Sequence, residues 1–241
     1  MTFKTGFKDG LAIGLGYLSV SFSFGILAVT NGLSWWQAVL ISLTCLTSAG
    51  QVAGVGIMAG SGNPLEMAVS QLVINMRYSL MSISLSQKAD RTLNTPARLL
   101  TSFFITDEIF GVASGKGSDV SRNYMLGLAV LPVTGWTMGT LLGALCGNIL
   151  PAILTESLAI GIYGMFVAIV IPASRKNKAV SLVSFISVIL SVVFYYTPIL
   201  HEKISFGFTV IICAVIAALI GTFTMPVDGS DTESEEEDAV S

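Results

Sequence analysis

The strongest constraint on this chain is a succession of apolar runs, each long enough to cross a lipid bilayer. A spanning helix needs about 20 predominantly apolar residues, and 11–33, 35–60, 65–87, 123–148, 151–172, 179–197 and 204–225 all qualify. Inside hydrocarbon no water satisfies the backbone, so such runs must close their own hydrogen bonds as helices. Composition agrees. Charged residues make up 11% of the chain, less than half of the roughly 25% in a soluble domain. The expected fold is all-α: a polytopic membrane protein with seven or eight transmembrane segments, short or discontinuous helices among them.

The choice between seven and eight rests on "LLTSFFITDEIFGVASG", residues 99–115. At about 17 residues it stands at the short limit for a span, and it carries Asp107 and Glu108. It can be a short span, a half-helix or a re-entrant element. Eight spans with a cytoplasmic N-terminus place Lys4, Lys8, Lys116, Arg122, Arg175, Lys176 and Lys178 inside, and Lys88, Arg91, Arg98 and Lys203 outside. This excess of bases inside follows the positive-inside rule and puts both termini in the cytoplasm, at the cell membrane. The 88–98 loop fits poorly, and returns inside if one early segment is re-entrant. Lys4 and Lys8 before an apolar run resemble a signal peptide, but 11–33 exceeds its 7–15 residue core, so it reads as the first retained helix.

Residues 1–226 thus form one transmembrane domain and 227–241 a disordered acidic tail. The tail holds seven acids and no base, while twelve bases against eight acids leave the body at +4. A block of like charge without apolar anchors stays solvated. Trp35 and Trp36 suit an interfacial aromatic belt. Pro132 lies inside its segment and should kink it. Glu156, soon after Pro151, suits a helix N-terminus, where the dipole stabilises a carboxylate.

Catalysis finds little to work with. Cys45, Cys146 and Cys213 are scattered singly, without metal-ligand spacing or a disulfide framework. His201 is the single histidine, which excludes HExxH zinc chemistry and argues against a Ser-His mechanism. Asp107 is the one aspartate within a candidate segment, so an aspartyl pair is missing too. No cofactor or metal motif and no basic patch for nucleic acid is present. The expectation is a protein that is not an enzyme.

Polar residues at mid-depth carry the functional signal. From Leu65 to Gln87 the charges are Glu66, at the edge, and Arg77, in the centre. Such an arginine costs at least about 2.5–3.5 kcal/mol to insert, so it defaults to a functional reading as an anion site or gate. Gln71, Asn75, Ser79, Ser82 and Ser86 form one polar line, and Arg77 sits about 160° from Asn75 at about 100° per residue. A helix polar on two faces must be enclosed on both sides or break near Asn75. In "LTCLTSAGQVAGVG", Thr44, Thr47, Ser48 and Gln51 share a face, and Gly50, Gly54 and Gly56 allow close contact or unwinding. Polar clusters at the midplane beside breakable helices are where secondary transporters hold substrate. Asp107 and Glu108 supply carboxylates for proton coupling or ammonium recognition, Asp107 being the stronger candidate; the alternative is an ion pair with Arg77 or Lys116.

Gly135, Gly139, Gly143 and Gly147 lie four apart, a ridge suited to close helix contact inside the chain or with a partner. Superposing Gly32 on Gly147 also aligns Ser42-Leu43 with Ser157-Leu158, a faint sign of duplicated halves.

Taken in order, "SFGILAVTNGLSWWQAVLISLTCLTSAGQ", "INMRYSL", "FITDEIFG" and "GWTMGTLLG" resemble the AzlC family over roughly residues 5–225. The resemblance implies the large subunit of a branched-chain amino acid exporter with a small AzlD-type membrane partner, and no cofactor. Thr47-Ser48-Ala49-Gly50-Gln51 departs from the family's FAG(A/S)xQ pattern, which bears on pocket shape. The expected function is a secondary transporter for leucine, isoleucine, valine or an analogue, driven by protons or membrane potential. Ser48, Gly50, Gln51, Asn75 and Arg77 would bind substrate. A channel or ion-conducting pore is the alternative.

Overall fold

A computed structural model describes residues 1–116, 119–147 and 177–225, with isolated positions between 151 and 175. Glu156, most of 151–172, the second half of the suspected duplication and the tail 227–241 lie outside the described residues. The architecture is helical; among the described residues the one β-type pairing is an isolated bridge between Ala89 and Val120.

The core is a pair of long helices, α1 (Phe3–Thr30) and α7 (Arg122–Gly147). They run parallel, because their contacts climb together. A side chain at Gly10 would meet the Leu128 carbonyl at 2.6 Å, one at Gly14 the Leu131 carbonyl at 2.7 Å, and one at Gly147 the Val29 side chain at 2.6 Å. The glycine ridge of α7 faces this same seam: Gly135 lies on Gly14, Gly139 on Leu18 and Gly143 on Phe22, each against backbone. The ridge is therefore an internal contact. Backbones at this distance gain dispersion and weak Cα–H···O contacts that any side chain would prevent. Pro132 is buried in α7 without ending it.

The run 35–60 is not one span. It forms α2 (Trp35–Thr44) and α3 (Ser48–Ala59), separated by extended backbone at Cys45 and Thr47. A capping box of Ser34 and Gln37 starts α2 near the upper end of α1, taking the N-terminal end of the molecule as the lower one. Ser42 then meets Thr140 of α7 (2.7 Å) and Gln51 of α3 (3.0 Å), at mid-height. From there α3 climbs back, antiparallel to α4 (Pro64–Gln87), to a turn at Gly60–Asn63. The element is a re-entrant hairpin entering from above.

The helix α4 is continuous through Asn75 and descends to the lower end, where Lys88 and Asp90 exchange backbone hydrogen bonds with Val120 at 2.7 and 3.0 Å. Of the two outcomes open for a helix polar on opposite faces, it takes enclosure over breakage. Gln71 and Asn75 face α3, and Arg77 faces the next hairpin.

Residues 99–115 also double back. The helix α5 (Thr95–Ser102) rises from the lower end, and α6 (Asp107–Ser114) returns there. Between them Phe104 packs near Tyr17 and Trp136 at mid-height. At the exit Lys116 pairs with Asp9 (2.7 Å), and the Lys88 ammonium donates to the Ser114 carbonyl (2.7 Å). This second hairpin enters from below.

Beyond α7, α8 (Lys178–Tyr196) leads through the short α9 (Pro198–Lys203) into α10 (Phe206–Thr224), antiparallel to α8. The start of α10 is tied to the start of α4 by buried Glu66, which accepts hydrogen bonds from the Ser205 hydroxyl and the Gly207 amide (2.8 Å). One carboxylate thus sits at two helix N-termini, where the dipoles favour it. By length and composition α1, α7, α8 and α10 can cross a membrane, and the 24-residue α4 matches them in length. The expected polytopic all-α architecture with discontinuous helices is what the chain adopts.

Candidate functional site: a cavity between two re-entrant tips

The two hairpins enter from opposite ends and their tips meet near mid-height. Between them lies a cavity of about 300 Å³, at the small end of the range for ligand pockets. The upper tip contributes Leu46, Ser48 and Ala49, and the lower tip contributes Thr106, Asp107 and Glu108. Tyr17 of α1, Ile74, Arg77 and Tyr78 of α4, Trp136 of α7 and Val170 complete the wall. Both returning helices, α3 and α6, begin here. Each points the positive end of its dipole and its first free amides toward the cavity.

Arg77 answers to Asp107. Its Nη2 stands 2.8 Å from Asp107 Oδ2, donates to the Tyr78 hydroxyl at 3.2 Å, and its guanidinium lies 5.0 Å from the Tyr78 ring centre. The pair is half-open, with side-chain exposures of 44% and 33%. Other ligands can therefore reach it. Lys116, the other expected partner for these carboxylates, is engaged with Asp9 instead.

Asp107 and Glu108 occupy the first turn of α6, capped by the Thr106 hydroxyl. On an uninterrupted helix they would diverge by about 100°. Starting a helix at the tip lets both reach the cavity, in different directions. Glu108 takes a short hydrogen bond from the Tyr17 hydroxyl, which also lies 2.7 Å from Thr106 Oγ1.

Behind the cavity a buried polar chain fixes the upper hairpin. Trp136 Nε1 donates to Gln51 Oε1 (2.9 Å), Gln51 Nε2 donates to Ser42 Oγ (3.0 Å), and Ser42 meets Thr140 (2.7 Å). Tyr17 stacks edge-on against Trp136 with ring centres 5.2 Å apart. Gln51 is 2% exposed, so it cross-links the arms of the hairpin to α7.

Of the expected binding residues, Ser48, Arg77, Asp107 and Glu108 line the cavity. Gly50, Gln51 and Asn75 stand behind it. The Gly50 carbonyl accepts from Gln71 Nε2 (2.9 Å), and Asn75 Nδ2 donates to Gln71 Oε1 (3.0 Å), which locks α3 to α4. A side chain at Gly50 would collide with Thr47 and Gln71, which explains the glycine. Tyr17, Tyr78, Thr106 and Trp136 escaped the sequence reading. Tyr17 and Trp136 did carry a signal: an aromatic with a polar tip far from the membrane interface needs a buried partner. Among the described residues no cluster of three metal-ligating side chains occurs.

The arrangement offers one cation, two carboxylates, the N-termini of α3 and α6 and an apolar wall. Its chemistry suits reversible binding of a small molecule carrying both charges.

Comparison with known proteins gives the family. The AzlC protein family matches residues 12–150, which take in α1, both hairpins and α7. The inner membrane protein YgaZ of Escherichia coli (strain K12) is 27% identical over 231 residues, covering 92% of this chain and 91% of that one. A membrane protein of Archaeoglobus fulgidus is 29% identical over 76% of this chain and 80% of its own length. The branched-chain amino acid transport protein AzlC of Bacillus subtilis (strain 168) is 22% identical, over 73% of this chain and 69% of its own. No solved structure matches the chain. An integral membrane protein whose match runs from α1 through α7, this chain belongs to the AzlC family.

Proposed function

We propose that this protein is the large subunit of a secondary transporter that exports branched-chain amino acids or close analogues. The observation that carries this reading is the half-open Arg77–Asp107 pair facing a cavity of about 300 Å³ at mid-height. A zwitterion can insert into that pair, its carboxylate taken by the Arg77 fork and its ammonium by Asp107. Each charge exchanges one partner for another, so binding leaves no charge unpaired. Leu46, Ala49, Ile74 and Trp136 give an aliphatic side chain an apolar wall. Hairpins entering from opposite ends suit alternating access, since each tip covers the site from one side. The competing reading, a pore, draws its lining from repeated segments. This cavity is built from unlike elements of one chain.

Lys4, Lys8, Lys88, Arg91, Arg98, Lys116, Arg122 and Lys178 all belong to the lower end, whereas Lys203 belongs to the upper. With both early segments re-entrant, the awkward 88–98 loop joins the majority. We therefore assign the lower end, with both termini, to the cytoplasm of the cell membrane. An AzlD-type small subunit is the partner this reading requires.

Counterflow tests it. Purified protein in liposomes, with and without a co-expressed AzlD-type subunit, should accumulate labelled leucine, isoleucine or valine against unlabelled substrate inside. Absence of saturable counterflow in both preparations, across a panel of amino acids, would sink the proposal.

A further inference from the structure

Reading the cavity as an amino-acid site, we propose that Glu108 is its proton-carrying group, and that a proton and the substrate's ammonium are alternative occupants of that carboxylate. Charge counting leads there. Arg77 and Asp107 satisfy one another in the empty cavity and satisfy the two ends of a zwitterion in the loaded one. Glu108 is one carboxylate more than either balance needs. Its carboxylate adds one negative charge that the helix N-terminus and the Tyr17 hydroxyl offset only in part.

The hydrogen bonds around Glu108 suit both protonation states. When Glu108 is ionised, the Tyr17 hydroxyl donates to it, and Thr106 Oγ1 keeps the Ile109 amide (3.4 Å). When Glu108 is protonated, its own O–H donates to the Tyr17 oxygen and Tyr17 donates to Thr106. The Tyr17 hydroxyl is placed to donate either to Thr106 (2.7 Å) or to Glu108, and its single proton turns from one to the other as Glu108 loses or gains its own. A proton can therefore come and go without leaving the Tyr17 hydroxyl, 8% exposed, without a partner. Glu66, a fully buried carboxylate, faces an amide donor at Gly207 that cannot reverse. The relay also docks the lower tip onto α1 in both states.

The groups facing Glu108 are Tyr17 from α1, Arg77 and Tyr78 from α4 and Asp107 on its own helix. The upper tip and α7 bring Leu46, Ser48, Ala49 and Trp136 to the cavity, none of which titrates. Ionised Glu108 holds the substrate ammonium beside Asp107. Once substrate leaves, a proton from water at the outer mouth binds Glu108 Oε2, and water at the inner mouth receives it as the next substrate arrives. Mutually exclusive occupancy gives antiport, one proton inward for each amino acid outward.

The test uses full-length protein in liposomes loaded with leucine and a pH-sensitive dye, without an initial pH gradient. Leucine efflux should acidify the lumen, and the apparent affinity for leucine should fall several-fold as the pH is lowered. Glu108→Gln should exchange leucine more slowly, with that pH dependence flattened and the acidification gone. Tyr17→Phe keeps the carboxylate but removes the relay, so it should displace the pH profile. Leucine efflux by the native protein without acidification overturns the proposal, and so does acidification by Glu108→Gln. Where Glu108→Gln fails to fold, native acidification together with a displaced Tyr17→Phe profile sustains it, and an unmoved profile overturns it. A native protein that exchanges no branched-chain amino acid removes the transport reading itself, and this proposal with it.

Discussion

Arg77 of α4 and Asp107 at the first turn of α6 form an ion pair of 2.8 Å whose members sit on separate structural units, one on a continuous helix and the other on a re-entrant tip. The pair is therefore both a contact and a seam. Opening it frees a fork and a carboxylate, and a zwitterion inserted there bridges the two units again.

Removing either member should cripple transport while leaving the protein in the membrane. A hydrogen bond to a charged group is worth about 1.5–3 kcal/mol, so Arg77→Gln and Asp107→Asn should each raise KM for leucine counterflow by about tenfold to a hundredfold. Arg77→Lys should suffer nearly as much, because the ammonium loses the planar fork. Counterflow at native KM in Arg77→Gln would show that the arginine merely holds α6 in place.

The seam between α1 and α7 makes a sharper structural prediction. Side chains at Gly139 and Gly143 would run into the backbone of Leu18 and Phe22. Neither partner can yield without parting the two helices. Gly143→Leu and Gly139→Leu should cost more than about 4 kcal/mol, the exceptional range for one substitution, and yield little monodisperse protein. Gly16→Leu, at a position where an added Cβ meets nothing within 4 Å, should behave as native in the same size-exclusion assay. Normal yields of Gly143→Leu would disprove the parallel packing.

How much of this could be read from the chain follows from what hydropathy measures. Apolar length announces α1, α7, α8 and α10 because lipid tests composition over about 20 residues. It cannot register a reversal. Residues 35–60 contain enough apolar length for a span, yet Cys45–Thr47 turn the chain at mid-depth. Residues 99–115 are short enough to leave re-entry open, and Phe103–Thr106 accomplish it. The ridge of α7 was plain, while its partner was hidden because Gly6, Gly10 and Gly14 repeat the same spacing of four, and spacing alone does not say which ridge packs on which. In the site the charges were legible, since a charge in lipid needs a reason. Tyr17 and Trp136 were not, since a polar-tipped aromatic at that depth calls for a buried partner without saying which one.

Gln51 should matter through position rather than contact with substrate. Gln51→Leu leaves the Trp136 N–H, 2% exposed, without its acceptor and removes the donor to Ser42. Each buried group so orphaned costs about 1–3 kcal/mol. The expected result is a melting temperature lower by several degrees, with transport loss expressed more in rate than in KM. An unchanged melting curve would show that the polar chain is dispensable.

The two hairpins make opposite predictions from a pair of spans, and labelling from either side distinguishes them. Asn31 and Ser61 flank the first hairpin, and Arg91 and Asp119 flank the second; all four are exposed. If each segment crosses the membrane, the two residues of each pair face opposite compartments. In the re-entrant fold Asn31 and Ser61 share the upper end, Arg91 and Asp119 share the lower end, and α4 separates the pairs. Single cysteines at these positions, with Cys45, Cys146 and Cys213 replaced, should react with an impermeant maleimide in intact cells only at Asn31→Cys and Ser61→Cys. Arg91→Cys and Asp119→Cys should react after the membrane is opened. The positive-inside excess at the lower end assigns which pair is which. Labelling of Asn31→Cys without Ser61→Cys in intact cells would restore the crossing at 35–60. It would also remove the upper tip from the cavity, and with it the α3 N-terminus that faces Arg77.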